Sequence, residues 1–233
     1  MGSYDGAKRM PEKIAIIAAL PREIAALVRG IKPDTALLER GVWLYRMEGA
    51  VVVAAGMGAE RAAGAVEAAL ADGDVRMLIS TGLAGGCMAG VVAGAVMEAG
   101  AVIDVLTGER FATATGDVTL ASAGTIASVS EKARLTNIYG AAIVDMEAAS
   151  VARLARAHGL GFRAIKGVSD AHDFELSALA KFAGERGTFR TGAFALQTAL
   201  RPWEWGKAME LGRGSAKALA GLDAALRGVL AQR

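Results

Sequence analysis

AIVDMEAASVARLARAHGLGFRAIKGVSD, residues 142–170, decides how this chain is read. Ala142 to Met146 is an apolar run of strand length, Ala148 to His158 a helical segment, and Phe162 to Val168 a second strand. Both strands run out into acidic residues: Asp145-Met146-Glu147 after the first, Ser169-Asp170 after the second. Open α/β sheets keep their chemistry at strand ends rather than along solvated helix faces.

The alternation continues on either side of this stretch. Ile14 to Ile17 reads as a strand, and Pro21 suits the first turn of a helix through Arg29. Val42 to Met47 and Val51 to Ala55 flank Glu48-Gly49-Ala50 as a hairpin. Gly56-Met57-Gly58 then opens an Ala-rich helix from Glu60 to about Leu70. Met77 to Ser80 is a buried strand leading into the loop Thr81-Gly82-Leu83-Ala84-Gly85-Gly86. Val91 to Leu106 reads as two strands and a turn, with Val96 to Val105 extended, and Val118 to Ser122 is a further strand. Ser130-Glu131-Lys132 caps a helix through Ile138. Ala178 to Leu200 reads as helical, broken at Gly184 and Gly187, and Gly214 to Leu230 forms a last helix.

Strands alternating with helices predict an α/β fold with a mostly parallel, mixed central sheet covered by helices on both faces. No linker, repeat or low-complexity tract divides the chain, so residues 1–233 are expected to form one domain, with 1–11 a patternless segment or expression scar.

Composition narrows the function. The hydrophobic fraction of 53% exceeds the roughly 45–50% of ordinary globular chains, and implies a large interior. The net charge of +2 is spread along the sequence with no basic block, which argues against nucleic acid as a partner. The lone Cys87 excludes an intramolecular disulfide and reads as a packed thiol. His158 suits a helix C-terminus, and two isolated His residues, His158 and His172, do not make a metal site, so no metal is expected. With no signal-peptide pattern at the N-terminus, the expected location is cytoplasmic.

Taken together, Asp145-Met146-Glu147, Lys166-Gly167-Val168-Ser169-Asp170, Thr81 to Gly86 and Gly56-Met57-Gly58 resemble motifs of the purine nucleoside phosphorylase and methylthioadenosine/S-adenosylhomocysteine nucleosidase superfamily. The resemblance runs from Ile14 to about Asp170. It implies a three-layer phosphorylase-like fold, cleavage of an N-glycosidic bond, no cofactor, and a homodimer. Such cleavage makes the sugar cationic while the base leaves with negative charge, so the protein must supply an acid, anionic contacts and a placed nucleophile.

By that resemblance Asp170 is the acid that protonates the purine, with Ser169 orienting it. Glu147 accepts hydrogen bonds from the ribose hydroxyls, and Met146 packs on the sugar. Glu23 positions the attacking water, and Leu20 lines the pocket. Met57 borders the 5′ side, while Gly82 and Leu83 belong to a loop that lets backbone approach the sugar. Asp145 stands where nucleosidases often carry Glu and is read as a supporting or solvent-facing residue. Plainer roles compete: Ser169-Asp170 suits a cap, Glu23 and Glu147 suit first helical turns, and Met57 suits core filling.

The departures matter as well. Leu83 replaces the Ser of the family's Thr-Gly-Ser-Ala-Gly-Gly loop, and where nucleosidases stack an aromatic on the purine this chain offers Ile126. Phosphorolytic members bring an Arg and a Ser to phosphate where this chain has Ser80 and Leu83, which favours water as nucleophile. Phosphorolysis, with Arg22 as a substitute phosphate ligand, is the competing reading. A catalytically silent nucleoside-binding or membrane-associated protein is the third.

Trp203 and Trp205 stand beside Lys207, Arg213, Lys217 and Arg227 in a tail that suits either a membrane surface or an interface. Asp104 to Phe111, Phe189-Arg190-Thr191-Gly192 and Leu200-Arg201-Pro202-Trp203 look like the hopanoid-associated branch of the superfamily, which implies removal of adenine from a lipophilic 5′-substituted adenosine.

Overall fold

A computed structural model describes residues 13–175 and 205–232. The expected helices at Ala178–Leu200, the segments Phe189–Gly192 and Leu200–Trp203, and residues 1–11 lie outside that range.

Ten strands form one mixed sheet: β1 (Lys13–Ala18), β2 (Trp43–Met47), β3 (Ala50–Ala54), β4 (Val75–Ser80), β5 (Leu83–Gly86), β6 (Val96–Asp104), β7 (Arg110–Ala112), β8 (Val118–Ser122), β9 (Ala141–Asp145) and β10 (Gly161–Asp170). Their spatial order is β2-β3-β1-β4-β10-β5-β9-β8-β6-β7. The strand β10 is the hinge of this topology. Its first half pairs parallel with β4, from Gly161↔Met77 to Ala164↔Ser80. Its second half lies between parallel β5, at Gly167↔Leu83, and antiparallel β6, at Lys166↔Met97. The second pairing closes β10, β5, β9, β8 and β6 into a ring, so an open sheet merges into a barrel-like half.

Among the described residues, six helices cover the sheet: α1 (Pro21–Ile24), α2 (Thr35–Glu39), α3 (Ala59–Ala71), α4 (Val129–Tyr139), α5 (Ala148–Ala157) and α6 (Trp205–Ala231). On one face, α3 and α5 bury Ala62, Ala65, Val66, Val151 and Ala155 against Ala15, Ile17, Val51, Val53 and Leu78. Ile24, Leu222 and Leu226 of α1 and α6 cover the other face over Ile14, Ile16, Val52 and Ile165. The alternation along β1, even-numbered residues to one side and odd to the other, is the pleat of a strand buried on both faces. Small residues let the layers approach closely. A Cβ on Gly167 of β10 would stand 2.9 Å from the Ala218 Cβ, and one on Gly214 of α6 would stand 2.7 Å from the Ser169 carbonyl oxygen.

The sheet and its two helical faces match the predicted class, with local corrections. Regular α1 stops at Ile24, and hydrogen-bonded turns rather than helix carry the chain to Gly30, where φ is 85°. Thr81 to Gly86 is not all loop, because Leu83–Gly86 pairs with β9 and β10 as β5. Val91 to Leu106 holds one strand, β6, after turns. The α4 cap is Ser128 rather than Ser130: its Oγ accepts the Glu131 N–H at 3.2 Å. The last helix starts nine residues earlier than Gly214, at Trp205.

Candidate active site

The carboxyl ends of β1, β3, β4 and β10 lie together because these strands are parallel. The strand β9 runs the other way, antiparallel to β5 at Gly85↔Val144, which brings its end to the start of β5, just past the end of β4. A cavity of about 460 Å³ opens there. Glu23, Asp145, Glu147 and Asp170 all line it, Glu23 coming from more than a hundred residues earlier in the chain than the other three.

Glu23 sits in the first turn of α1 with its carboxylate folded back on the backbone. Its Oε2 accepts the N–H groups of Ala19 (3.1 Å) and Leu20 (2.9 Å), and its Oε1 accepts that of Leu83 (3.2 Å). Burial pushes its pKa above the usual carboxylate range, against the pull of the Leu20 and Leu83 N–H groups and of Lys166. Leu20 and Leu83 also line the cavity. The Leu83 contact with Glu23 is made by the backbone N–H and not by the side chain. Gly82 does not line the cavity; it makes room for Glu23.

Glu147 is the N-cap residue of α5. Its Oε1 accepts the Gly58 N–H at 2.7 Å and its Oε2 the Met146 N–H at 3.2 Å. The Gly56-Met57-Gly58 turn therefore presents one residue, Met57, to the cavity and fixes Glu147 with another. Burial and then the neighbouring Asp145 charge raise the Glu147 pKa to about 7, while Lys166 opposes both.

Asp145 is not solvent-facing: it is 5% exposed, and its Oδ2 meets the Lys166 Nζ at 2.8 Å and the Ala148 N–H at 2.9 Å. Its Oδ1 has no hydrogen-bond partner among the described residues, and its charge acts on the neighbouring Glu147. Lys166, fully buried, also donates to the Ser80 Oγ and the Thr81 carbonyl oxygen, each at 2.9 Å.

Asp170 closes the opposite wall. Its Oδ1 accepts from the Ser169 Oγ, and its Oδ2 forms an ion pair with the Lys132 Nζ. Lys132 donates its other protons to the carbonyl oxygens of Ala171 (2.9 Å) and Phe174 (3.0 Å). Burial raises the Asp170 pKa, opposed by the hydrogen bond from Lys132. Thr125, Ile126 and Ala127 line the cavity, as do Leu211, Ser215 and Leu219 of α6.

The geometry thus gathers Glu23, Leu20, Met57, Leu83, Ile126, Met146, Glu147, Ser169 and Asp170, and leaves Gly82 behind them. Sequence reading missed Lys132 and Lys166. A lysine inside an apolar strand was a signal for Lys166. Lys132 precedes Leu135 and Tyr139 by three and seven residues, a spacing that places it on the inner face of α4. Cys87 is buried, and its thiol is pushed up to about 12, chiefly by burial. His172 is half-buried and Asp173 exposed. Among the described residues no cluster of three His, Cys, Asp or Glu is placed to hold a metal, and no helix is long and apolar enough to cross a membrane.

A mixed sheet clothed in helices, with acidic groups collected at its strand ends, defines an α/β protein with a candidate site at the ends of its central strands. The family model of the phosphorylase superfamily matches residues 13–117 and 112–199, and the chain belongs to that superfamily. Its fold is similar to that of 5′-methylthioadenosine/S-adenosylhomocysteine nucleosidase from Helicobacter pylori with butyl-thio-DADMe-Immucillin-A, at 14% identity, 97% and 100% coverage of the two chains and a TM-score of 0.71. The futalosine hydrolase of Helicobacter pylori gives the same figures, 14% identity, 97% and 100% coverage and 0.71. The nucleosidase of Colwellia psychrerythraea in complex with adenine is 20% identical over 70% of this chain and 84% of its own, with a TM-score of 0.60. No curated protein matches the chain by sequence.

Proposed function

We propose that the protein hydrolyses the N-glycosidic bond of a purine nucleoside, adenine being the favoured base. The observation that carries this reading is the meeting of Glu23, Glu147 and Asp170 around one cavity of nucleoside size. Asp170, held by Ser169, protonates the leaving base. Glu147, fixed by the Gly58 and Met146 N–H groups, accepts from the ribose hydroxyls. Glu23 orients the water and takes its proton.

Charge distribution favours water over phosphate. Lys132 is paired with Asp170 and Lys166 with Asp145, so two carboxylates, Glu23 and Glu147, remain with backbone donors as their closest contacts. Those carboxylates favour a developing sugar cation, and the Arg22 charge, which also acts on Glu23, offsets part of their field. Arg22 also lines the cavity, and phosphate dependence is the property that would favour the phosphorylase alternative. Nucleosidases among the structurally similar proteins support the same chemistry.

Leu20, Met57, Leu211 and Leu219 give the cavity an apolar wall, which suits an apolar 5′ substituent and agrees with the hopanoid-associated resemblance. A homodimer and contact of the C-terminal tail with a membrane surface belong to the same reading; size-exclusion chromatography with light scattering and vesicle flotation test them. The central experiment incubates the protein with 5′-methylthioadenosine, inosine and a lipophilic 5′-substituted adenosine, with and without phosphate, and measures released base. Release that needs no phosphate is expected. Binding without turnover would identify a silent nucleoside-binding protein instead.

A further inference from the structure

The Lys132 ammonium has three protons and three acceptors: the Asp170 Oδ2 and the carbonyl oxygens of Ala171 and Phe174. It is 1% exposed, so water does not compete for it. The Asp170 Oδ2 accepts an ammonium proton from Lys132, the bonding of an ionised carboxylate in an ion pair, while the single Ser169 hydroxyl proton has both the Asp170 Oδ1 and the Ala84 carbonyl oxygen in reach. An ionised carboxylate has no proton to give. Asp170 can act as an acid on a leaving base only if it first receives one, and Lys132 is the group in contact that carries it.

We propose that Lys132 is the proton store of the site, a positioning residue that loads Asp170 with the proton delivered to the leaving base; this rests on the nucleosidase reading above. The Lys132 Nζ passes one proton to the Asp170 Oδ2. The resulting amine keeps its two N–H bonds to Ala171 and Phe174 and turns its lone pair to the new carboxylic acid. As the bond from the anomeric carbon to the base nitrogen breaks, its electron pair goes to the base, and the Asp170 carboxyl protonates a base nitrogen. Water attacks the anomeric carbon and gives its proton to Glu23. Glu23 then loses that proton to solvent and Lys132 regains one, so the sum is nucleoside plus water to base plus sugar. Burial raises the Asp170 pKa, which brings the first transfer nearer to balance.

The companion ion pair shows an equally buried lysine whose partner is not the proposed acid, though its charge acts on Glu23 and Glu147. Lys166 makes contacts of the same kind, but its carboxylate partner, Asp145, also takes the Ala148 N–H and leads to the α5 turn rather than standing as the proposed acid.

The test compares Lys132→Met and Lys132→Arg with wild type on 5′-methylthioadenosine or whichever nucleoside of the assay above is cleaved, and on 4-nitrophenyl β-D-riboside, whose leaving group needs no proton. Arginine keeps the charge but does not give up a proton. Both variants are expected to lose at least about 100-fold in kcat on the nucleoside, with KM within about threefold, and to stay within about threefold of wild type on the nitrophenyl riboside. Lys132→Arg within about tenfold of wild type on the nucleoside would overturn the proposal and leave Lys132 a simple counter-charge. Equal losses on both substrates would overturn it too. A wild type that releases base from no nucleoside would instead remove the nucleosidase reading, and this one with it. Thermal melting of the Arg variant verifies that the site is folded.

Discussion

Gly82 and Glu23 share one space: a Cβ on Gly82 would stand 2.7 Å from the Glu23 Oε2 and 3.0 Å from its Cδ. Gly82 also has φ 112°, in the region L side chains avoid. The carboxylate is therefore set in place by a missing side chain sixty residues away as much as by its three N–H donors.

Gly82→Ala should displace Glu23 and strain the turn. We expect about 1–3 kcal/mol lost in urea denaturation and a fall of at least tenfold in kcat. Unchanged kcat would separate Glu23 from the chemistry.

Glu147 gives the protein a pH signature. Its folded pKa of about 7 lies above the 4.5 of an unperturbed Glu, so between these values the folded state holds a proton the unfolded chain has lost. Stability from this group is full below pH 4.5, declines as pH rises to about 7, and levels off above. Ribose binding runs the opposite way, since the carboxylate is the acceptor. Equilibrium denaturation from pH 5 to 8 should show the decline, Glu147→Gln should flatten it, and KM in wild type should fall over the same interval. A KM that rises with pH there would contradict the clamp.

Removing Lys166 should leave the Asp145 charge buried without its ion. Lys166→Met is expected to cost about 3–5 kcal/mol, and adding Asp145→Asn should restore more than half of it. A double-mutant cycle in urea measures the coupling.

Gly167→Ala should push Ala218 and Leu222 of α6 away from β10, because the new Cβ would lie 2.9 Å and 3.0 Å from them. Since α6 carries Leu211, Ser215 and Leu219 of the cavity wall, KM should rise along with a stability loss of about 1–3 kcal/mol. A stability loss with KM unchanged would show that α6 does not shape the substrate wall.

The sheet was legible because runs such as Ile14 to Ile17 and Met77 to Ser80 are buried on both faces and carry an unbroken apolar pattern. The strand β5 was not, because Leu83–Gly86 is four residues half composed of glycine, and only its neighbours β9 and β10 make it a strand. The helix Thr35–Glu39 had a readable signal that went unused: Asp34 accepts the Leu37 N–H at 3.1 Å as its cap. The acidic residues of the site were found because strand ends expose them to inspection. Their cations were not, since Lys132 sits among charged residues of an ordinary-looking helix and meets Asp170 across 38 positions of chain. Of the two expectations for Asp145, supporting or solvent-facing, the structure removes the second, because Lys166 faces it and it is buried.

Helix α6 is seated on β10 through Gly167 and Gly214, and Gly221 meets Val96 of β6. A ribosome builds this molecule from Glu23 toward Leu219, so the pocket's last wall emerges some two hundred residues after its first. Every nascent chain therefore passes through a stage in which the acidic groups are already made but the wall supplied by α6 is not.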